Sequence, residues 1–363
     1  MREIRIDIVR GLAIIAILLN HMSTGMLFYG LKGTTIPTPT RYGFSSAAEL
    51  FVIMSGYMVG MVYLRKERPA KAILARARHL YLYNFVLFAA IVPVAYFMSA
   101  EELAFWRLDP FVQAPLMSTL KFALFLYSPN LLDVLQLYVI LMVATPFALL
   151  VYRRSPWLLI GASVAIYAAV LAIRLAAPSA DTGNGSNFNP LAWQVLFFVA
   201  MVLGAKRAHT YLFDHFGKRW VSICLVVAGA VLTAVARKVI EDAGFQLHSA
   251  LTSKHDLGLI RLMHALLMVG FYAGLLVLAR VIIHVIPFRG LALIGRHSLN
   301  CFILGVVMTY ALTLAWDRGD GGYLAYLALC GVAVAITVVA AAVWDHGKGR
   351  QRLAPTKLAP ASS

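Results

Sequence analysis

The chain has 363 residues, of which 61% are hydrophobic and only 13% charged, and its mean hydropathy is +0.78. So little polar surface excludes a soluble globular protein and points to an all-α, polytopic membrane protein. The formal charge of +16 would suggest nucleic acid in a soluble chain. No basic patch with interleaved aromatics lies outside the apolar runs, however, and membrane proteins gather Lys and Arg on cytoplasmic loops, so no nucleic-acid partner is expected.

An apolar helix of about 20 residues spans the hydrocarbon core. On that measure about ten transmembrane helices are expected, near 8–29, 47–64, 79–98, 131–152, 156–177, 190–205, 219–238, 258–285, 291–316 and 322–344. The first is basic and then apolar, like a signal peptide. Its run is too long for a typical h-region and no A-x-A-like site follows, so it is expected to be retained. The sixth is short, and the eighth is long enough to tilt. An interfacial helix is expected in the loop around 99–130. The last residues, "GKGRQRLAPTKLAPASS" (347–363), read as a disordered cytoplasmic tail. The three cysteines, Cys224, Cys301 and Cys330, lie in separate apolar runs, without metal-ligand spacing, and read as small buried residues.

Basic residues orient these spans. If both termini are cytoplasmic, 22 of the 32 Lys and Arg fall inside, against 5 of the 16 acids. That split satisfies the positive-inside rule, and an odd number of spans would break it.

Ionisable groups inside spans need a reason, because each costs roughly 2.5–3.5 kcal/mol at the centre of the bilayer. In "IRIDIVRGLAIIAILLNH", Arg10 and His21 are 11 residues apart, three turns plus roughly 20°, and therefore share a face. Asp7 lies on the same side, and Ile14 and Ile17 line the stripe between. His21, preceded by Asn20, stands roughly 16 Å along the axis from Arg10. A plain interfacial anchor for Asp7 and Arg10, or a helix-capping role for His21, is the competing reading.

Span two opens with "GFSSAAELFVIMSGYMVG". Ser46 and Glu49 read as a capping box, yet Glu49 also sits at the depth expected for His21, where a carboxylate can orient an imidazole. Gly56 and Gly60 form a close-packing G-x-x-x-G. In "SKHDLGLIRLMHALLMVG", Lys254 and Arg261 fall on one helix face, with His264 at i+3, a set able to bind an anionic group. Asp133, Asn189, Trp193 and Gln194 mark the outer ends of other spans, Trp193 with an aromatic-belt alternative. At the inner side Arg296 and His297, with Arg5, Arg10, Arg76 and Arg78, can receive phosphates; each arginine also serves as a topology anchor. No G-x-S-x-G, Walker A, GxGxxG or HExxH motif and no metal-ligand cluster is present, so no metal is expected.

The segments "RIDIVRGLAIIAILLNH", "GFSSAAELFVIMSGYMVGMVY", "LDVLQLYVILM", "NPLAWQVLFFVAMVLG", "KHDLGLIRLMHAL" and "IGRHSLNCF" occur in this order. In them the chain resembles the OpgC family, inner-membrane proteins that succinylate osmoregulated periplasmic glucans. That family is similar to the acyltransferase type 3 proteins and the lysosomal heparan glucosaminide acetyltransferases. The chain departs from the pattern at Gln136, where a proline is expected, and at Ser46, where an acid is expected.

The resemblance implies a transmembrane acyltransferase domain over 1–346 in a bacterial inner membrane. It would move a succinyl or acetyl group from cytoplasmic acyl-CoA to hydroxyls of a periplasmic glucan, with acyl-CoA as substrate and no permanently bound cofactor. Arg5, Asp7, Arg10, Arg76, Arg78, Arg296 and His297 would hold the donor. His21 would act as general base, oriented by Glu49, with Asn20 at the oxyanion. Lys254, Arg261, His264, Asp133, Asn189, Trp193 and Gln194 would contact acyl group or acceptor. An acyl-histidine relay is the alternative mechanism, a transporter or flippase the alternative function, and a second copy of the chain a further candidate partner, beside the lipid bilayer.

Overall fold

The computed structural model describes residues 3–177, 188–245, 247–279 and 285–353. Among these, all regular structure is helical. Eight helices are long and apolar enough to cross a membrane, or nine if the pair Pro190–Ala205 and Ala208–Lys218, bent by 80°, is one span; Ala47–Tyr63 is a shorter apolar helix. These fall on the ten expected spans, and the chain is a multi-pass membrane protein.

Two compact units divide the chain, Met1–Ile36 with Val281–Ser363, and Pro37–Arg280. The helices in chain order are α1 (Ile4–Phe28), α2 (Ala47–Met58), α3 (Pro69–Ile91), α4 (Ala100–Trp106), α5 (Asp109–Gln113), α6 (Pro115–Ala123), α7 (Asp133–Arg154) and α8 (Pro156–Ala176). They continue with α9 (Pro190–Ala205), α10 (Ala208–Lys218), α11 (Trp220–Asp242), α12 (Ser249–Thr252), α13 (Leu259–Leu278), α14 (Ile286–Arg296), α15 (Ser298–Arg318) and α16 (Tyr323–Leu353).

The first unit packs α1 against α14, α15 and α16. Small residues let two backbones touch: a β-carbon on Gly11 would collide with the Leu291 carbonyl, and one on Gly295 with the Asp7 carbonyl. Leu18, Met22 and Met26 of α1 close a core with Met308, Trp316, Tyr326 and Cys330. Within it the buried Ser23 hydroxyl is satisfied by the Leu19 carbonyl (2.6 Å) and Tyr326 (2.9 Å).

The expected ninth span, 291–316, is broken. The chain leaves helical geometry at His297 (φ −110°, ψ 27°), so α14 is separate and the long helix begins at Ser298. The polar run Arg296-His297-Ser298 draws the backbone there, because its side chains are bound elsewhere in the unit. α16 continues past residue 346 into the stretch expected as a tail; residues 354–363 lie outside those described.

In the second unit α2 runs into a π-helical turn at Val59–Tyr63 and packs on α9. Gly56 and Gly60 face the carbonyls of Phe197 and Met201, and Gly204 faces that of Tyr57, so the G-x-x-x-G is a backbone-to-backbone contact. The 99–130 loop holds three short helices rather than one interfacial helix. α4 is closed by a Ser99–Glu102 capping box, and α6 exposes Leu116 and Leu120. α13 runs from Leu259 to Leu278, starting one residue after the expected eighth span; residues 280–284 of that span lie outside those described. Gly258 caps it, and Leu257 before it has φ 50°. Cys301 and Cys330 are buried as expected, whereas Cys224 on α11 is exposed. The glycine- and asparagine-rich loop at 178–187 lies outside the described residues.

Candidate active site

α1 is unbroken from Ile4 to Phe28, so the helical arithmetic holds and Arg10 and His21 share a face. Ile14 and Ile17 between them are buried, and Asn20 and His21 are half-buried.

At the Arg10 end the first unit assembles an ionic cluster. Asp7, 2% exposed, lies 3.6 Å from Arg10 and 3.9 Å from Arg296. Arg10 also donates to the Ser298 hydroxyl at 2.6 Å. Asp345 of α16 receives Arg296 at 3.2 Å and meets the His297 imidazole at 3.3 Å. Thus Asp7, Arg10, Arg296 and His297 come together as anticipated, while Ser298 and Asp345 are additions. The Arg296 Nε is buried without a hydrogen-bond partner, a donor able to serve an anionic ligand. Arg5 stands apart, paired with Glu3 at 2.7 Å. Arg76 and Arg78 lie on α3 in the other unit, Arg78 exposed.

The second unit builds a different cluster around Glu49, which is wholly buried. Its Oε2 accepts from the Ser46 backbone N–H (2.8 Å) and hydroxyl (2.6 Å). Its Oε1 accepts from Arg261, at 2.9 Å from Nε and 2.7 Å from the terminal nitrogen. Both oxygens are therefore engaged within this unit, by Ser46 and Arg261, while His21, the imidazole that Glu49 is expected to orient, lies in the other unit.

One turn on, His264 is buried, and its Nδ1 accepts from the Ser45 N–H (3.1 Å) and lies 2.6 Å from the Ser45 hydroxyl. A β-carbon at Gly43 would collide with that imidazole, so glycine is needed for the loop to lie over it. Arg237 donates to the Gly43 carbonyl. Arg237 and Arg261 line a neighbouring cavity of about 340 Å³ with Phe44 and Glu241.

Lys254 does not share a helix face with Arg261, because α13 begins after it. Its ammonium sits over the Phe188 ring, 4.9 Å from the centroid. Trp193 is fully buried, and its indole N–H donates to the carbonyls of Lys254 (3.0 Å) and His255 (3.1 Å), so it holds that loop instead of belonging to an aromatic belt. Gln194 ties α9 to the Ser163 carbonyl of α8 at 2.8 Å. Asp133 is buried, and its carboxylate accepts from the Val134 N–H at 2.9 Å.

Asn189 joins a third cluster that sequence reasoning missed. The buried Asp256 carboxylate accepts from Arg174 (2.5 Å), Asn189 (2.9 Å) and the His255 Nδ1 (2.9 Å). Burial pushes the Asp256 carboxyl up, but Asn189, His255 and Arg174 together outweigh it and leave its pKa below the usual 3.8. The only sequence signal was an adjacent His-Asp pair in a loop; Arg174 and Asn189 reach it from 82 and 67 residues away.

Fold and site together define a multi-pass, all-helical membrane protein with buried ionic clusters at helix ends, among them an imidazole beside a guanidinium pair. The family follows from comparison: the chain matches the family model OpgC_C (OpgC protein) over residues 2–348, and it belongs to the OpgC family. Neither the curated proteins nor the solved structures yield a match. Family membership supports a glucan succinyltransferase-like role in general, within the membrane transferases.

Proposed function

We propose that the protein is an O-acyltransferase of a bacterial inner membrane, with both termini in the cytoplasm. It moves a succinyl group from cytoplasmic acyl-CoA to a hydroxyl of a periplasmic glucan. The observation that carries this reading is the Asp7–Arg10–Arg296–His297 cluster at one end of α1, with His21 eleven residues along the same face, in a chain of the OpgC family. Donor phosphates are strong hydrogen-bond acceptors that guanidinium groups bind well. Arg10 and Arg296, whose Nε makes no hydrogen bond, supply such donors at the end where the charge bias puts the cytoplasm.

In the proposed reaction His21 takes the proton of a sugar hydroxyl as its oxygen attacks the thioester carbonyl. The new C–O ester bond forms, the C–S bond breaks, and the proton passes to the departing CoA thiolate. Asn20 donates to the developing oxyanion. Within the second unit, Arg237 and Arg261 line one cavity, and their guanidinium groups suit a carboxylate.

The test is transfer by purified protein in lipid nanodiscs from succinyl-CoA to glucan, followed by ester formation. His21→Ala and His21→Gln should each reduce transfer at least about 100-fold, the range general-base removal spans, while both proteins still insert in the membrane. Undiminished transfer by either variant overturns the mechanism.

A further inference from the structure

A cavity of about 500 Å³ in the second unit is lined by Leu124, Phe125, Gln136, Phe188, Asn189 and His255, among others. Its size is within the range small organic ligands occupy. The N-terminal ends of α7 and α9 and the loop before α13 meet around it, at the end that the charge bias puts outside.

The imidazole of His255 is fixed from two sides. Its Nδ1 faces the Asp256 carboxylate at 2.9 Å, and that carboxylate is already held by Arg174 and Asn189. Its own carbonyl accepts from the N–H of Asn189 (2.8 Å) and from the Trp193 indole. A carboxylate at Nδ1 requires the proton there, so the neutral ring presents Nε2 as an acceptor. Gln136 donates through its amide nitrogen to the carbonyls of Phe122 (3.3 Å) and Tyr127 (3.4 Å), which leaves the amide oxygen as its remaining hydrogen-bonding atom. The polar inventory of the cavity is thus rich in acceptors. The nearby cations are held elsewhere, Arg174 on Asp256 and Lys254 over Phe188.

We propose that this cavity is a subsite for a neutral sugar residue of the acceptor glycan, with His255 Nε2 accepting a hydrogen bond from a sugar hydroxyl. Asp256 is the positioning residue that holds the imidazole in that tautomer. Sugar hydroxyls are donors that match these acceptors. Phe125, half-buried, adds an aromatic ring, and a sugar's weakly positive C–H face packs against such a face. Phe125, with φ 59°, holds a conformation unfavourable for a bulky residue; such strain gathers at ligand sites. The proposal rests on the reading above that the acceptor is a glycan.

The test uses the full chain in nanodiscs and a glucose trisaccharide carrying a diazirine. Photolysis should label peptides containing Phe125, Phe188–Leu191 or His255, and excess unlabelled trisaccharide should suppress the labelling. His255→Gln, and separately Phe125→Ala, which leaves the Asp256 cluster intact, should each lower the labelling about tenfold. Labelling elsewhere, labelling suppressed by added phospholipid but not by sugar, or labelling undiminished in both variants overturns the subsite. Acyl-CoA binding by the wild-type chain is measured alongside. Its absence counts against the proposed transfer reaction, whereas the sugar labelling alone judges the subsite.

Discussion

Glu49 performs two tasks that the sequence presents as alternatives. One oxygen closes the capping box with Ser46, and the other binds Arg261 across 212 residues. A buried charge left without its partner typically costs 3–5 kcal/mol, whereas replacing both partners by apolar residues of similar volume is often neutral. Glu49→Leu and Arg261→Met should therefore each destabilise the detergent-purified protein by about 3 kcal/mol. The double variant should recover most of that loss in a thermal melt while remaining inactive in succinyl transfer. An active double variant would reduce the pair to a structural brace. The two departures from the family pattern have local explanations of the same kind. Ser46 is a helix cap with its hydroxyl on Glu49, and Gln136 pins the start of α7 to the Phe122 and Tyr127 carbonyls.

At the scale of elements, small residues at helix crossings decide which helices meet. Gly11 is the sharpest case, since its missing side chain is occupied by the Leu291 carbonyl of α14. Gly11→Ala should destabilise by about 1–3 kcal/mol, the ordinary cost of overpacking. Gly161→Ala in α8 meets nothing within 4 Å and should leave the melting temperature unchanged or slightly raised. Equal effects from the two would contradict the close contact of α1 with α14. The long helices were legible because hydrophobic runs of span length have few other uses; the 190–205 segment is helical over those residues. What was not legible is where polar side chains interrupt a run. The break at His297 falls where its imidazole meets Asp345, 48 residues away, a contact that no local pattern encodes.

Across the whole molecule, the candidate functional residues fall into clusters that linear spacing shows unevenly. The α1 stripe could be read from sequence because Asp7, Arg10 and His21 lie on one helix, where 3.6 residues per turn fixes their relation. Arg296 and His297 are expected from sequence as inner-side groups, yet their partner Asp345 is not, since only tertiary packing brings α16 to them. The His255–Asp256 pair was hidden for the same reason: its meaning comes from Arg174, Asn189 and Trp193. We propose that this chain esterifies a glucan outside the membrane with an acyl group supplied from inside. Mass spectrometry of periplasmic glucans from cells with and without the protein tests it most directly. Glucans should carry succinyl esters only when the wild-type chain is present, with the esters absent in cells bearing His21→Ala. Identical glucan masses in cells with and without the wild-type chain would contradict it.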